Sequence, residues 1–113
     1  MTRAEPLNLL HQAKRVVVKI GSALIAENGV ARQSWLDGLA EDVQARRASG
    51  QDVILVSSGA IALGRNRLGS NRPRKLEEKQ AAAALGQPML MTAMTQAFAP
   101  YNLPVAQALL TLE

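Results

Sequence analysis

RVVVKIGS, residues 15 to 22, and DVILVSSGAI, residues 52 to 61, share one pattern: a short β-branched and aliphatic run that breaks off on Gly or Ser-Gly. Continuous apolar runs of this length suit strands buried on both faces of a parallel sheet. Between them, Ser34 followed three residues later by Asp37 resembles a capping box, and Leu36, Leu39, Ala40 and Val43 recur at helical spacing. Gly50 then supplies a helix stop. Strand, helix and strand in this order make a βαβ unit, which crosses over right-handedly.

Residues 60 to 68 are expected to form a helix directly after the second strand, and Leu76 to Leu85 an alanine-rich one. Gly86 and Pro88 interrupt it, with Pro88 placed as the first-turn residue of a further helix to about Ala99. Asn102 and Pro104 mark a turn, and Val105 to Leu112 (VAQALLTL) is expected to be a third strand. The fold class is therefore α/β, a parallel sheet of about three strands with flanking helices over residues 15 to 113, preceded by an N-terminal extension over residues 1 to 14. A sheet that stops on an apolar strand leaves an unpaired edge, so the chain is expected to be the front part of a larger domain.

The 113 residues are 48% hydrophobic with a mean hydropathy near zero, which excludes disorder of the whole chain. There is no Cys and the single His is His11, which excludes a thiolate-imidazole zinc site, a disulfide scaffold and a cysteine nucleophile. Magnesium carried on a phosphate stays open. Trp35, Phe98 and Tyr101 are the only aromatic residues, too few for a nucleic-acid stacking platform. Lys19 interrupts the longest apolar run, residues 16 to 26, so no membrane span is expected and the cytoplasm is the expected location. Thirteen Lys and Arg against nine Asp and Glu give a net charge of +4. All of that excess lies in residues 65 to 79, where Arg65, Arg67, Arg72, Arg74, Lys75 and Lys79 face Glu77 and Glu78. The segment reads as a solvated face, as a surface for nucleic acid or an acidic partner, or as the border of an anionic small-molecule site beside the Ser58 turn.

In an open α/β sheet the ligand crevice lies outside the carboxyl ends of the strands. Two glycine-bearing turns fall there, Lys19-Ile20-Gly21-Ser22 and Ser57-Ser58-Gly59-Ala60-Ile61. Lys19 either binds an anion or snorkels to solvent, and Gly21 either admits a phosphate close to the backbone, its amide and that of Ser22 forming an anion nest, or merely turns the chain. Ser58 and Gly59 either offer amides to a carboxylate or phosphate, or Ser58 is only a helix cap. Gly59 and Gly64 have Walker A spacing, but Arg65-Asn66 stands where that loop needs Lys and Ser or Thr. Val56 occupies the position where a nucleophile elbow at Ser58 would need its first glycine.

VVVKIGSALI, DVILVSSGAIALGRNRLG, KQAAAALGQ and VAQALLT, in this order and spacing, resemble the N-terminal part of the glutamate 5-kinases, a branch of the amino acid kinase family, from about Arg15 to Glu113. The resemblance implies a parallel-sheet αβα sandwich and ATP-dependent phosphorylation of the L-glutamate side-chain carboxylate to L-glutamyl 5-phosphate, the first step of proline biosynthesis. ATP with Mg2+, homo-oligomers and feedback inhibition by proline belong to the same implication. By resemblance Lys19 contacts the nucleotide phosphates and steadies the transferring group, Gly21 and Ser22 form the phosphate-side loop, and Ser58, Gly59, Ala60 and Ile61 form the glutamate-side turn. Many members have Thr where this chain has Ser22, which keeps the hydroxyl. The family's later Asp and Asn of the glutamate site have no counterpart before Glu113, so the 113 residues alone are expected not to turn over. The alternatives are another amino acid kinase activity, such as acetylglutamate or uridylate kinase, a scaffold that dimerises through residues 75 to 99, and a nucleic-acid accessory module using residues 65 to 79.

Overall fold

The computed structural model describes residues 9 to 69 and 75 to 107. In chain order its elements are β1 (Arg15–Ile20), α1 (Ser22–Ile25), β2 (Ala26–Glu27), β3 (Val30–Ala31), α2 (Gln33–Ala48), β4 (Asp52–Ser57), α3 (Gly59–Leu68), α4 (Leu76–Phe98) and a 3-10 turn at Ala99–Tyr101. β1 and β4 pair in parallel, in a register that runs from Arg15 opposite Asp52 to Ile20 opposite Ser57. The βαβ unit is formed as expected, with α2 as its crossover.

The two strands are not buried on both faces. Val16, Val18 and Ile20 of β1, with Val53 and Leu55 of β4, point into the core, whereas Val17, Ile54 and Val56 are exposed at 61%, 44% and 46%. Side chains alternate across a strand, and the core to which the helices contribute Leu36, Ala40, Val43, Ala60, Leu63, Leu90, Ala93, Met94 and Phe98 engages one side of the sheet. The described residues thus supply one helical layer and a sheet, not all three layers of a sandwich. The expected third strand is also absent as far as it is described: Val105 to Gln107 adopt no strand, and residues 108 to 112 lie outside the described residues.

A hairpin interrupts the run to α2, with Ala26 opposite Ala31 and Glu27 opposite Val30. Its turn, Asn28-Gly29, has both residues at positive φ (53° and 76°), the conformation of a type I′ turn. α2 starts at Gln33, one residue before the expected Ser34 cap, and no side chain caps it. Gln33 Nε2 instead donates to Asp37 Oδ1 at 3.0 Å and to the Ala93 carbonyl at 3.0 Å, tying the start of α2 to α4. The other end behaves as read. Gly50 at φ 93° donates its N–H to the Arg47 carbonyl and Gln51 donates to the Arg46 carbonyl, a Schellman stop. The buried Gln51 side chain then donates to the carbonyls of Leu10 and Ala13 at 2.7 and 3.0 Å, anchoring residues 9 to 14 to the start of β4.

The largest departure is α4, a single helix of 23 residues with Gly86 and Pro88 inside it. An interior proline removes one backbone hydrogen bond, here to Ala84, and costs about 3 kcal/mol in isolation. Pro88 and Ala84 are both exposed, so the carbonyl that loses its partner lies on the solvent side of the helix. Gly86 is no helix stop because it is a contact: a Cβ on Gly86 would overlap the Ala60 carbonyl, and one on Gly64 would overlap the Ala82 carbonyl. α3 and α4 therefore run antiparallel with their backbones touching. The core buries Ala82, Leu90, Ala93, Met94, Ala97 and Phe98 of α4, while Leu76 and Leu85 stay exposed.

Replacing Gly86 with Ala should destabilise the protein by about 1 to 3 kcal/mol through overpacking of this contact. Gly38, inside α2 with nothing within 4 Å of an added Cβ, is the control, and its change to Ala should stabilise by about 0.5 to 1 kcal/mol. Urea midpoints compare the two; equal effects would contradict a direct backbone contact.

Candidate functional site

The parallel register puts Lys19 opposite Val56 and Ile20 opposite Ser57, so the turns that leave β1 and β4 stand side by side at the carboxyl edge of the sheet. The site residues read from the sequence, Lys19, Gly21, Ser22, Ser58, Gly59, Ala60 and Ile61, all belong to one of these two segments. Lys19 is exposed, on the same open face as Val17. Ile20 beside it is buried and holds the strand end in place.

Gly21 precedes α1 with φ −67° and ψ 146°, an extended conformation open to any residue. It does not turn the chain by virtue of being glycine, and nothing lies within 4 Å of a Cβ added to it. Neither backbone geometry nor packing demands glycine here. The same angles correct the expectation of a nest, which needs a left-handed residue next to a right-handed one. The Gly21 carbonyl instead accepts from the Leu24 N–H at 3.1 Å, closing the single turn of α1. Ser22 is half-buried at the head of that turn.

At the second turn, Ser58 precedes α3 and makes no capping bond with its side chain. Ser57 does that work: its Oγ accepts the Gly59 N–H at 2.9 Å. The reading of Ser58 as only a cap is therefore corrected, and the exposed Ser58 hydroxyl is not engaged by the helix. The Gly59 amide, expected to face a ligand, is already bonded. Gly59 and Ala60 are buried, Ala60 against Gly86, and Ile61 is half-buried. Of these four residues, Ser58 alone is exposed. A hydroxyl two residues ahead of the amide it accepts is a local Ser turn, which is the signal that would have marked Ser57.

The described residues of the basic segment lie away from the Ser58 turn. Arg65 and Arg67 occupy the last turn of α3, roughly 10 to 14 Å along the axis from Ser58 at about 1.5 Å per residue. Lys75 and Lys79 lie at the start of α4, which the antiparallel packing places near that same end. All four are exposed, while Arg72 and Arg74 lie outside the described residues. Cations in the last turn of α3, and Glu77 and Glu78 in the first turn of α4, each complement a helix dipole. Among the described residues no group of three His, Asp or Glu could hold a metal, and no helix is long and apolar enough to cross a membrane.

The sequence profile of the amino acid kinase family matches residues 14 to 113. The glutamate 5-kinase of Paramagnetospirillum magneticum is 54% identical over 106 residues, covering 92% of this chain and 29% of that protein. Those of Caulobacter vibrioides and Thermus thermophilus are 53% and 52% identical, covering 88% and 89% of this chain and 27% and 28% of the relatives. The chain thus spans a little over a quarter of the length of the curated relatives it matches.

The assignment of the two serines is open to measurement. Ser57→Ala should cost about 1 kcal/mol by stranding the Gly59 amide, Ser57→Thr should keep the bond, and Ser58→Ala should leave the unfolding midpoint unchanged. A larger loss for Ser58→Ala than for Ser57→Ala would reverse the assignment.

Proposed function

Because the chain belongs to the amino acid kinase family, we propose that the protein carrying it transfers the terminal phosphoryl group of ATP to the side-chain carboxylate of L-glutamate. A carboxylate oxygen forms the new bond to phosphorus, the bond to the bridging oxygen breaks, and ADP leaves with that electron pair. The product is L-glutamyl 5-phosphate, the reaction of the relatives' name. The observation that carries the proposal is the register of β1 and β4, which sets Lys19 and Gly21 on one side of a shared edge and Ser58 on the other.

Such a transfer gains from positioning and charge neutralisation and needs no covalent nucleophile. Lys19, on a mobile stem at a strand end, balances the phosphate charge that builds during transfer. The open space over Gly21 supports an approach of phosphate oxygens to the backbone beside Ser22. Ser58 donates its hydroxyl hydrogen to the glutamate carboxylate, and the turn of Gly59, Ala60 and Ile61 holds it at the head of α3. Magnesium arrives with the nucleotide and supplies further charge neutralisation when bound. A cytoplasmic, homo-oligomeric enzyme that responds to proline belongs to the same reading and rests on the resemblance.

Lys19→Ala should lower kcat by about 100- to 1,000-fold, the scale of losing one preorganised group on the transferring charge. Ser58→Ala should act mainly on the KM for glutamate. Both are read as glutamate-dependent ADP formation by the protein as its gene encodes it. An unchanged kcat for Lys19→Ala would remove that residue from the mechanism.

A further inference from the structure

The short helix α1, which follows the first turn, packs against the head of α3 at the second. A Cβ built on Gly59 would stand 2.8 Å from Ile25 Cγ2 and 2.9 Å from Ile25 Cδ1. Gly59 has no left-handed φ, so its backbone does not ask for glycine; the neighbour does. Ile25 is the last residue of α1 and wholly buried. Its carbonyl accepts the Arg32 N–H at 2.7 Å, and the Arg32 guanidinium donates to the Ala23 carbonyl at 3.3 Å. α1 is thus fixed to the exit of the hairpin, and its one turn leads straight back to Gly21 and Ser22.

We propose that Ile25 is a positioning residue: it sets the separation between the phosphate-side turn at Gly21-Ser22 and the glutamate-side turn at Ser58-Gly59, with Gly59 providing the space that it fills. The contact stands on the geometry alone, while its consequence for phosphoryl transfer rests on the function proposed above. Ile25 is branched at Cβ, so the atom nearest Gly59 cannot swing aside as the end of a flexible chain would. A methyl added at Gly59 must push α1 or the head of α3 instead, and those elements carry the two halves of the site. In-line transfer is sensitive to such shifts, a displacement of about 1 Å being able to cost about 100-fold in rate.

The experiment is a double-mutant cycle in the protein as its gene encodes it, with Gly59→Ala, Ile25→Ala, Ile25→Leu and both doubles. The readouts are kcat, the KM for each substrate and the melting temperature without ligands. Gly59→Ala should reduce kcat/KM for both ATP and glutamate by about 10- to 100-fold. Ile25→Leu keeps the side-chain volume but removes the branch at Cβ, so it keeps the test decisive if Ile25→Ala does not fold. Each folded double should recover at least about fivefold of the activity lost in Gly59→Ala alone, and its melting temperature should exceed the additive expectation. Additive losses overturn the proposal, as does an effect of Gly59→Ala confined to the KM for glutamate, which would mean that the methyl meets the substrate directly. If the unsubstituted protein phosphorylates no glutamate, the functional reading fails by itself. Melting temperatures then judge the contact, and additivity there overturns it independently.

Discussion

Parallel pairing of residues 15 to 20 with residues 52 to 57 is the constraint on which the rest of this chain depends. A parallel neighbour requires the chain to return to the same edge, which commits the intervening residues to a crossover and makes both strands end on the same side. The register then decides what meets there. With Ile20 opposite Ser57, the turn at Gly21 and the turn at Ser58 become neighbours, although Gly21 and Ser57 are far apart in the chain. A slip of one residue would exchange the inward-facing Val16, Val18 and Ile20 for the exposed Val17 and Lys19, so burial on one face protects the site's geometry.

The helical layer answers to a second, shorter-range constraint. Gly64 and Gly86 bring the backbones of α3 and α4 together, and only residues without a side chain permit that approach. The contact explains two features at once: why α4 continues through Gly86 and Pro88, and why the basic residues collect at the far end of α3. An antiparallel pair places the end of one helix beside the start of the next. The described part of the charge excess, Arg65, Arg67, Lys75 and Lys79, thus lies at the end of one helix and the start of the next, away from Ser58.

Much of the candidate site was legible because its residues sit in local patterns. Runs such as VVVKI and DVILVS, each breaking on glycine or Ser-Gly, located both strands and both turns, and the strand rule placed a crevice at their ends. Less legible were the roles within each turn. Which of two adjacent serines bonds the helix start depends on angles that the pair Ser57-Ser58 does not encode by identity, and the hydroxyl that does so is that of Ser57. Ile25 was invisible for another reason: it is one aliphatic residue among many, and only its burial against Gly59 distinguishes it.

Sequence by itself determined the α/β class, the βαβ unit, the stop at Gly50 and the two turns, because each follows from side-chain periodicity or from the backbone freedom of residues near one another in the chain. Tertiary structure alone decided that the sheet is covered on one face by the described helices, that Leu76 to Phe98 is one helix, and that Gly59 closes on Ile25. The physical reason is the same in each case. A glycine that stops a helix and a glycine that admits another backbone are the same residue in a sequence, and the difference lies in what occupies the space where a Cβ would be.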